Sequence, residues 1–311
     1  MTQDEVKPKD KNTRIINGIY NLHMSDEPQQ IVYYHSIMCQ TCLPFKKPEN
    51  SKRTWKSKNG DSRILLKAGE LYDKDSDCFF DVPLPYGAKP RLIMYYLNKQ
   101  AITQKSHVIE VEPTLGQLIK KLGFESNGRD YKTVQNQFGR LSASEMVIGR
   151  GEENGSSTTK FGRVVDSANL WYSKADKQKA LWPNVVELSR EYFESLQKHA
   201  VPLDEGAIAL IKDSSLALDI YNMLAERLHR IPMGDKQFAS WAFIYGLYGV
   251  NYNRIDNFRR DFRTALKQVC AVYPDAKVEE LIEGNMPRGL ILKNSKPPVQ
   301  KTSIVVSKAA K

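Results

Sequence analysis

Residues 113–149 read PTLGQLIKKLGFESNGRDYKTVQNQFGRLSASEMVIG, and this stretch decides the fold. Pro113-Thr114 opens a helix whose Leu115, Leu118, Ile119 and Leu122 recur at the spacing of one helical face, and Gly123 closes it. Asn127-Gly128-Arg129-Asp130 forms a turn, and a second helix follows over 131–144. Residues 146–149 then read as a strand, 151–159 as a loop rich in Gly, Ser, Thr and Glu, and 161–165 as a returning strand that extends toward Trp171. Upstream, Pro90 suits the first turn of a helix that carries Leu92, Ile93, Tyr96 and Leu97, while 108–112 alternates like a short strand. Helix, strand, helix, helix, strand, loop, strand is the order of a winged helix-turn-helix, with the Gly/Ser loop as its wing.

A similar order recurs downstream. A strand over 185–188 and helices over 190–198 and 204–211 lead to a strong helix over 215–230, with Leu218, Tyr221, Leu224, Ala225 and Leu228 on one face. Residues 238–248 read as a further helix, interrupted by Gly246 and Gly249. A long amphipathic helix spans 255–273 and stops at Pro274; strands over 277–282 and 289–292 flank 283–288 as a second wing. The halves are alike in order, not residue by residue. The expected fold class is therefore α+β and mostly helical, with tandem winged-helix domains over 81–175 and 176–295 joined by a lysine-bearing linker around 174–179. An irregular basic N-terminal extension over 1–80, with a short strand over 63–67, and a flexible basic tail over 296–311 complete the expected domains.

Of the 311 residues 41% are hydrophobic, enough for real cores. Lys and Arg number 46 against 36 acids, a net charge of +10, which makes a polyanion the default partner, nucleic acid ahead of membrane. No apolar run approaches the roughly 18–20 residues that span a bilayer, and residues 1–12 carry no signal-peptide core, so a cytoplasmic setting with no membrane partner is expected. Four cysteines, Cys39, Cys42, Cys78 and Cys270, are too few for a disulfide scaffold and suit a reducing compartment. Lys46, Lys47, Lys52, Arg53, Lys56 and Lys58 oppose only Glu49, and the tail adds Lys293, Lys296, Lys301, Lys308 and Lys311 without an acid. Such segments add a salt-sensitive attraction to DNA that carries no sequence information.

Two helix faces are built to meet a duplex. On the helix over 131–144, Val134, Phe138 and Leu141 fall together toward the core, while Lys132, Asn136 and Arg140 recur at spacings of four on the other side, with Thr133 beside them. On the helix over 255–273, Ile255, Phe258, Phe262, Leu266 and Val269 form one apolar stripe, and Arg254, Asn257, Arg259, Arg260, Arg263, Thr264 and Lys267 surround it against only Asp256 and Asp261. Arginine grips guanine and asparagine grips adenine in two-pronged fashion, so Asn136, Arg140, Asn257, Arg260 and Arg263 are the candidate base contacts. Lys132, Arg254, Arg259 and Lys267 are the candidate phosphate anchors. Lys160 and Arg163 border the first loop and Arg288 the second, within reach of sugar and phosphate, although Glu152 and Glu153 would repel a phosphate at the first wing tip. The bland alternative is an ordinary solvated helix face, with the aspartates pairing arginines one turn away.

Enzyme chemistry finds little support. The Cys39–Cys42 spacing matches half of a zinc knuckle, but Cys78 stands alone and His35 completes no second pair. Residues 149–157 lack the lysine of a phosphate-cradling loop. The histidines His23, His35, His107, His199 and His229 are scattered, so no His-x-His metal clamp exists to serve a nucleophilic tyrosine. No catalytic residue, metal or cofactor is expected.

Several segments nevertheless resemble the RepA-type plasmid replication initiators of proteobacteria. They are His35-Ser-Ile-Met-Cys-Gln-Thr-Cys-Leu-Pro44, Leu84-Pro-Tyr-Gly-Ala-Lys-Pro-Arg-Leu-Ile-Met94, Leu181-Trp-Pro183 and His199-Ala-Val-Pro-Leu-Asp-Glu205. Ala217-Leu-Asp-Ile-Tyr221, Arg227-Leu-His229, Asp256-Asn-Phe-Arg-Arg-Asp-Phe-Arg263 and Tyr273-Pro274 extend the likeness over about 35–299. The resemblance implies binding to direct repeats (iterons) in double-stranded origin DNA, help in opening an adjacent AT-rich region, and control of copy number. It also implies contact with a host replication initiator or helicase, and self-association is a further expectation. A winged-helix transcriptional repressor would use the same domains and is the alternative reading.

Overall fold

The computed structural model of the protein describes residues 11–24, 28–73, 76–125, 127–151, 157–168 and 185–299. The chain begins with α1 (Lys11–Met24), β1 (Ile31–His35), α2 (Ser36–Gln40), β2 (Thr54–Asn59), β3 (Ser62–Lys67), β4 (Glu70–Asp73) and β5 (Cys78–Asp81). The quoted stretch and its approach form α3 (Ala88–Gln104), β6 (Val108–Glu110), α4 (Leu115–Lys121), α5 (Gly128–Ala143), β7 (Glu145–Gly151) and β8 (Ser157–Arg163). Then come β9 (Val165–Ala168), β10 (Val185–Leu188), α6 (Arg190–His199), β11 (Ala200–Asp204) and α7 (Glu205–Ile211). The last group is α8 (Ser215–Arg227), β12 (Lys236–Ser240), α9 (Trp241–Tyr248), α10 (Ile255–Val272), β13 (Val278–Glu283) and β14 (Met286–Lys293). Helix at 47% outweighs strand at 25%, so the mixed, mostly helical class expected from the sequence is the one found. The Glu152-Glu153 pair, the linker around 174–179, the Leu181-Trp-Pro183 motif, Trp171 and the tail beyond Val299 lie outside the described residues.

Local signals fix the helix ends. Thr114 caps α4 by accepting the Gln117 N–H at 3.2 Å, and Gly123 leaves it at φ +76°, a left-handed turn that favours glycine. Asn127 caps α5 through the Asp130 N–H at 2.9 Å, and Ser240 caps α9 through the Phe243 N–H at 3.1 Å. That last cap corrects the helix expected over 238–248. Its first residues belong to β12, where Phe238 and Ala239 pair with Ile291 and Leu290, and the helix starts only after Ser240.

The second half runs α8, β12, α9, α10 and the β13–β14 hairpin, and its strands close into one sheet of order β12-β14-β13. Its hairpin turns tightly at Gly284, φ +61°, and is shorter-looped than the wing expected over 283–288, because the strands zip together as far as Glu283↔Met286. The first half repeats the order as α3, β6, α4, α5 and β7–β8, yet β6 does not join the hairpin. It pairs with β10 in a β6-β10-β9 sheet, while β7–β8 extends the N-terminal hairpin in a sheet of order β2-β3-β7-β8.

The described residues among the first 80 are thus not an irregular extension, and the short strand expected over 63–67 is β3. β1 pairs antiparallel with β11 from Ile31↔Asp204 to His35↔Ala200, and β3 pairs along β7 from Ser62↔Arg150 to Lys67↔Glu145. Strand β2 alternates faithfully, with Trp55, Ser57 and Asn59 inward, but two of its inward residues are polar, so hydropathy hides the period. Its inner polar groups are answered by distant backbone: Asn59 donates to the Gln40 carbonyl at 2.8 Å, and the Ser57 hydroxyl accepts the Cys42 N–H at 3.1 Å.

Buried side chains from both halves join in one core, including Ile93, Leu97, Phe138, Leu224, Phe258 and Phe262. Each such side chain contributes roughly 1.5–3 kcal/mol relative to exposure. Helices α3 and α8 run through its centre. Arg91 of α3 is fully buried there against Asp219 of α8.

Candidate nucleic-acid interface

Helix α10 is held by an aromatic nest. Trp241, Tyr245 and Tyr252 meet the Phe258 ring edge-on at 6.3, 5.4 and 5.3 Å, and Trp241 meets Phe262 at 5.4 Å. Phe258, Phe262, Ala265 and Val269 are buried, with Ile255 and Leu266 packed beside them, as the stripe predicts. Arg254, Asn257, Arg260, Thr264 and Lys267 are exposed on the other side. The Arg254 and Arg260 side chains are 75% and 70% exposed. Their pairings are surface ones, Arg254 with Asp256 at 3.8 Å and Arg260 with Asp261 at 3.0 Å. Pairs of this kind contribute little and exchange readily for a phosphate.

Two arginines of this helix are committed elsewhere. Arg263, expected among the base contacts, donates to Glu280 of β13 from Nε at 2.9 Å and from Nη2 at 2.7 Å, and lies 5.5 Å from the Trp241 ring. Trp241 Nε1 donates to the same carboxylate at 3.1 Å. The hydrogen bond from Arg263 holds the Glu280 carboxyl below its ordinary range, burial opposing, and the bond to Glu280 raises the Arg263 guanidinium in turn. Arg263 therefore fastens the hairpin to the helix. Arg259 is turned inward, its side chain 21% exposed, 3.3 Å from Asp256 and 5.9 Å from Trp241.

On α5, Val134, Phe138 and Leu141 are buried as expected, while Lys132 and Asn136 are exposed. Arg140 is not on the outer face, and that expectation is corrected. It is 8% exposed, donates from Nη1 to the Leu84 carbonyl at 3.0 Å and from Nε to Asn136 Oδ1 at 2.7 Å, and covers the Tyr86 ring at 5.2 Å. Steps of four residues drift by about 40° each, so Arg140 lies about 80° round from Lys132, under the 84–87 loop. The Asn136 oxygen accepts from Arg140, and the residue itself is exposed.

Lys160 and Arg163 lie on β8, at register positions opposite Ile148 and Glu145, and their side chains are outside the described residues. Arg288 is exposed and pairs with Glu283 at 3.0 Å. The structure adds a residue that the wheels overlooked. Lys46 lies over the Tyr252 ring at 5.7 Å; Tyr252 donates to one Asp261 oxygen at 3.2 Å, and the other accepts from Arg260. The Lys46-Lys47 pair in the basic N-terminal run was the available signal, but nothing local ties it to a helix more than two hundred residues on.

The thiols have structural duties. Cys39 and Cys42 are buried; Cys42 Sγ donates to the Leu247 carbonyl at 3.3 Å, and burial pushes its thiol up to about 12. His35 caps α2 through Nδ1, which accepts the Ile37 N–H at 3.2 Å, and its Nε2 hydrogen-bonds with Ser195 Oγ at 3.0 Å. Among the described residues no three His, Cys, Asp or Glu side chains gather as metal ligands.

The sequence of residues 84–243 matches the model of a protein family described as plasmid-encoded RepA protein. That match spans half of the chain, so the chain belongs to the plasmid RepA family, a family of plasmid replication initiators. Crystal structures of domains 2 and 3 of RctB share its fold at 10% identity. One, a selenomethionine derivative, aligns with a TM-score of 0.51 over 81% of this chain and 95% of its own. The other, of residues 155–483, gives 0.51 over 84% and 97%. No curated protein matches the sequence.

Proposed function

We propose that this plasmid replication initiator reads repeated origin sequences in double-stranded DNA through two winged-helix units, with α5 and α10 as its recognition helices. The observation that carries the reading is the outward face of α10: Arg254, Asn257, Arg260, Thr264 and Lys267 stand exposed on a helix locked by Phe258 and Phe262. Helix α10 follows α9 and precedes a hairpin whose sheet order, β12-β14-β13, is the one a winged helix requires. In the first unit Lys132 and Asn136 have the corresponding exposure on α5, although β6 leaves the hairpin for β10.

Arg260 and Asn257 are then the base contacts. Lys132, Arg254, Lys267 and Lys46 anchor phosphate. Binding strains the repeats and favours opening of neighbouring AT-rich DNA, at a deformation cost offset by contacts. The protein acts by binding, without catalysis of its own, from the cytoplasm, where its origin DNA lies. Recruitment of a host helicase or initiator, self-association and copy-number control complete the reading. Footprinting on the DNA flanking its own gene tests it. Protection repeated at a fixed interval is expected, together with replication of an origin plasmid supplied with the protein in trans. Uniform, sequence-independent protection would overturn it.

A further inference from the structure

The outer face of the β2-β3-β7-β8 sheet carries positive charge that no described carboxylate balances. Lys56 and Lys58 of β2 and Arg63 of β3 point outward and are exposed. Lys58 and Arg63 are directly opposed across the ladder. Like charges in that relation destabilise a sheet. Four residues along β3, the same face answers the problem in the ordinary way, with Lys67 opposite Glu145 and 3.3 Å from it. Among the described residues no carboxylate pairs with Lys56, Lys58 or Arg63. Lysines on an edge strand can serve only to discourage pairing with another chain, and β2 is an edge. Arg63 is on β3, inside the sheet, where that purpose is void.

Between these cations lies a shallow hollow of about 390 Å³, floored by Leu65, Val147 and Gly149. Lys56 and Lys58 stand two residues apart on one strand, about 6.6 Å, close to the step between successive phosphates of a nucleic-acid strand. Arg63 adds a planar guanidinium that suits a phosphate, its Nη1 donating to the exposed Gly60 carbonyl at 3.2 Å until a phosphate replaces it. The aliphatic floor suits the apolar faces of deoxyribose. Strand β7 starts two residues after α5 ends, so these groups are carried rigidly with that helix.

We propose that this sheet face is a second DNA-contact surface, on which Lys56, Lys58 and Arg63 hold the sugar–phosphate backbone of duplex leaving the recognised repeat. The inference rests on the reading that the protein binds duplex DNA, but it uses none of the α10 residues. The test is fluorescence anisotropy with the full chain on three labelled probes: a repeat-bearing duplex, an unrelated duplex of equal length and an unrelated single strand. The variant carrying Lys56→Ala, Lys58→Ala and Arg63→Ala should bind both duplexes about 10- to 30-fold more weakly, and its salt dependence should flatten by about 2.7 in log–log slope for three lost phosphates. Arg260→Ala should instead weaken the repeat duplex alone. Lys58→Glu supplies Arg63 with a carboxylate across the ladder, so it should melt no lower than the parent while binding DNA at least 10-fold more weakly. Parental duplex binding by the triple variant, beside a repeat-specific loss in Arg260→Ala, would overturn this surface and leave the proposed function standing. A loss confined to the single strand would also overturn it. No saturable duplex binding by the parent protein would overturn both.

Discussion

Arg91 and Asp219 meet in the centre of the protein as a two-pronged ion pair, Nε to Oδ1 at 2.7 Å and Nη2 to Oδ2 at 2.6 Å, with neither side chain more than 3% exposed. The remaining guanidinium donors reach the carbonyls of Leu43 at 2.8 Å and Gly87 at 2.6 Å. Three separated family motifs, ending at Pro44, beginning at Leu84 and beginning at Ala217, therefore close on one residue and join α3 of the first half to α8 of the second. Removing one partner strands a buried charge, so Asp219→Ala should cost about 3–5 kcal/mol in denaturant unfolding. Replacing both, Arg91→Met with Asp219→Leu, should recover part of that loss. The two halves should be lost in a single transition in each case.

Arg140 and Lys132 separate fold from binding on α5. Arg140→Ala removes charged hydrogen bonds to Leu84 and Asn136 and should lower stability by about 1.5–3 kcal/mol. Lys132→Ala should leave the unfolding curve within about 0.5 kcal/mol of the parent and reduce DNA affinity in a gel shift. An Arg140→Ala protein of parental stability would contradict the buried contacts.

Arg260→Ala should weaken repeat binding by about 1–3 kcal/mol and relax the preference at one base pair. An equal loss on every duplex would make Arg260 a phosphate anchor instead. Arg263→Ala should act through the hairpin, lowering the melting temperature, since its two donors are spent on Glu280.

The Glu280–Arg263 pair has a signed pH dependence. Its carboxyl is held below the ordinary range, so its contribution to stability is fully present above the unfolded value, about 4.3, and is lost as pH falls through the lower folded value. The stability gap between parent and Glu280→Gln should be largest near neutrality and shrink below about pH 4. A gap that widens on acidification would contradict the pairing.

Thiol labelling should follow burial. Cys78 is exposed and should react first, Cys270 is half-buried and its thiol is raised by burial, and Cys39 and Cys42 should react only on unfolding. Labelling of Cys42 at the rate of Cys78 in the native protein would show that the α2 segment opens.

The sequence by itself determined what depends on near neighbours. The stripe Ile255, Phe258, Phe262 and Val269, the core face Val134, Phe138 and Leu141, and the caps at Thr114 and Asn127 all follow from a 3.6-residue period and from bonds spanning three residues. The family likeness, too, was legible from ordered motifs alone. Only the tertiary structure decided which cations remain free. Arg140 is taken by a carbonyl 56 residues away and Arg263 by a carboxylate 17 residues away, while Lys46 is brought beside Arg260 through Tyr252. Strand β2 was hidden for the same reason, because its polar inward residues Ser57 and Asn59 find their partners on other elements, whereas its neighbour over 63–67 was legible. A helical wheel gives the direction of a side chain, but its freedom depends on what the rest of the chain lays over it.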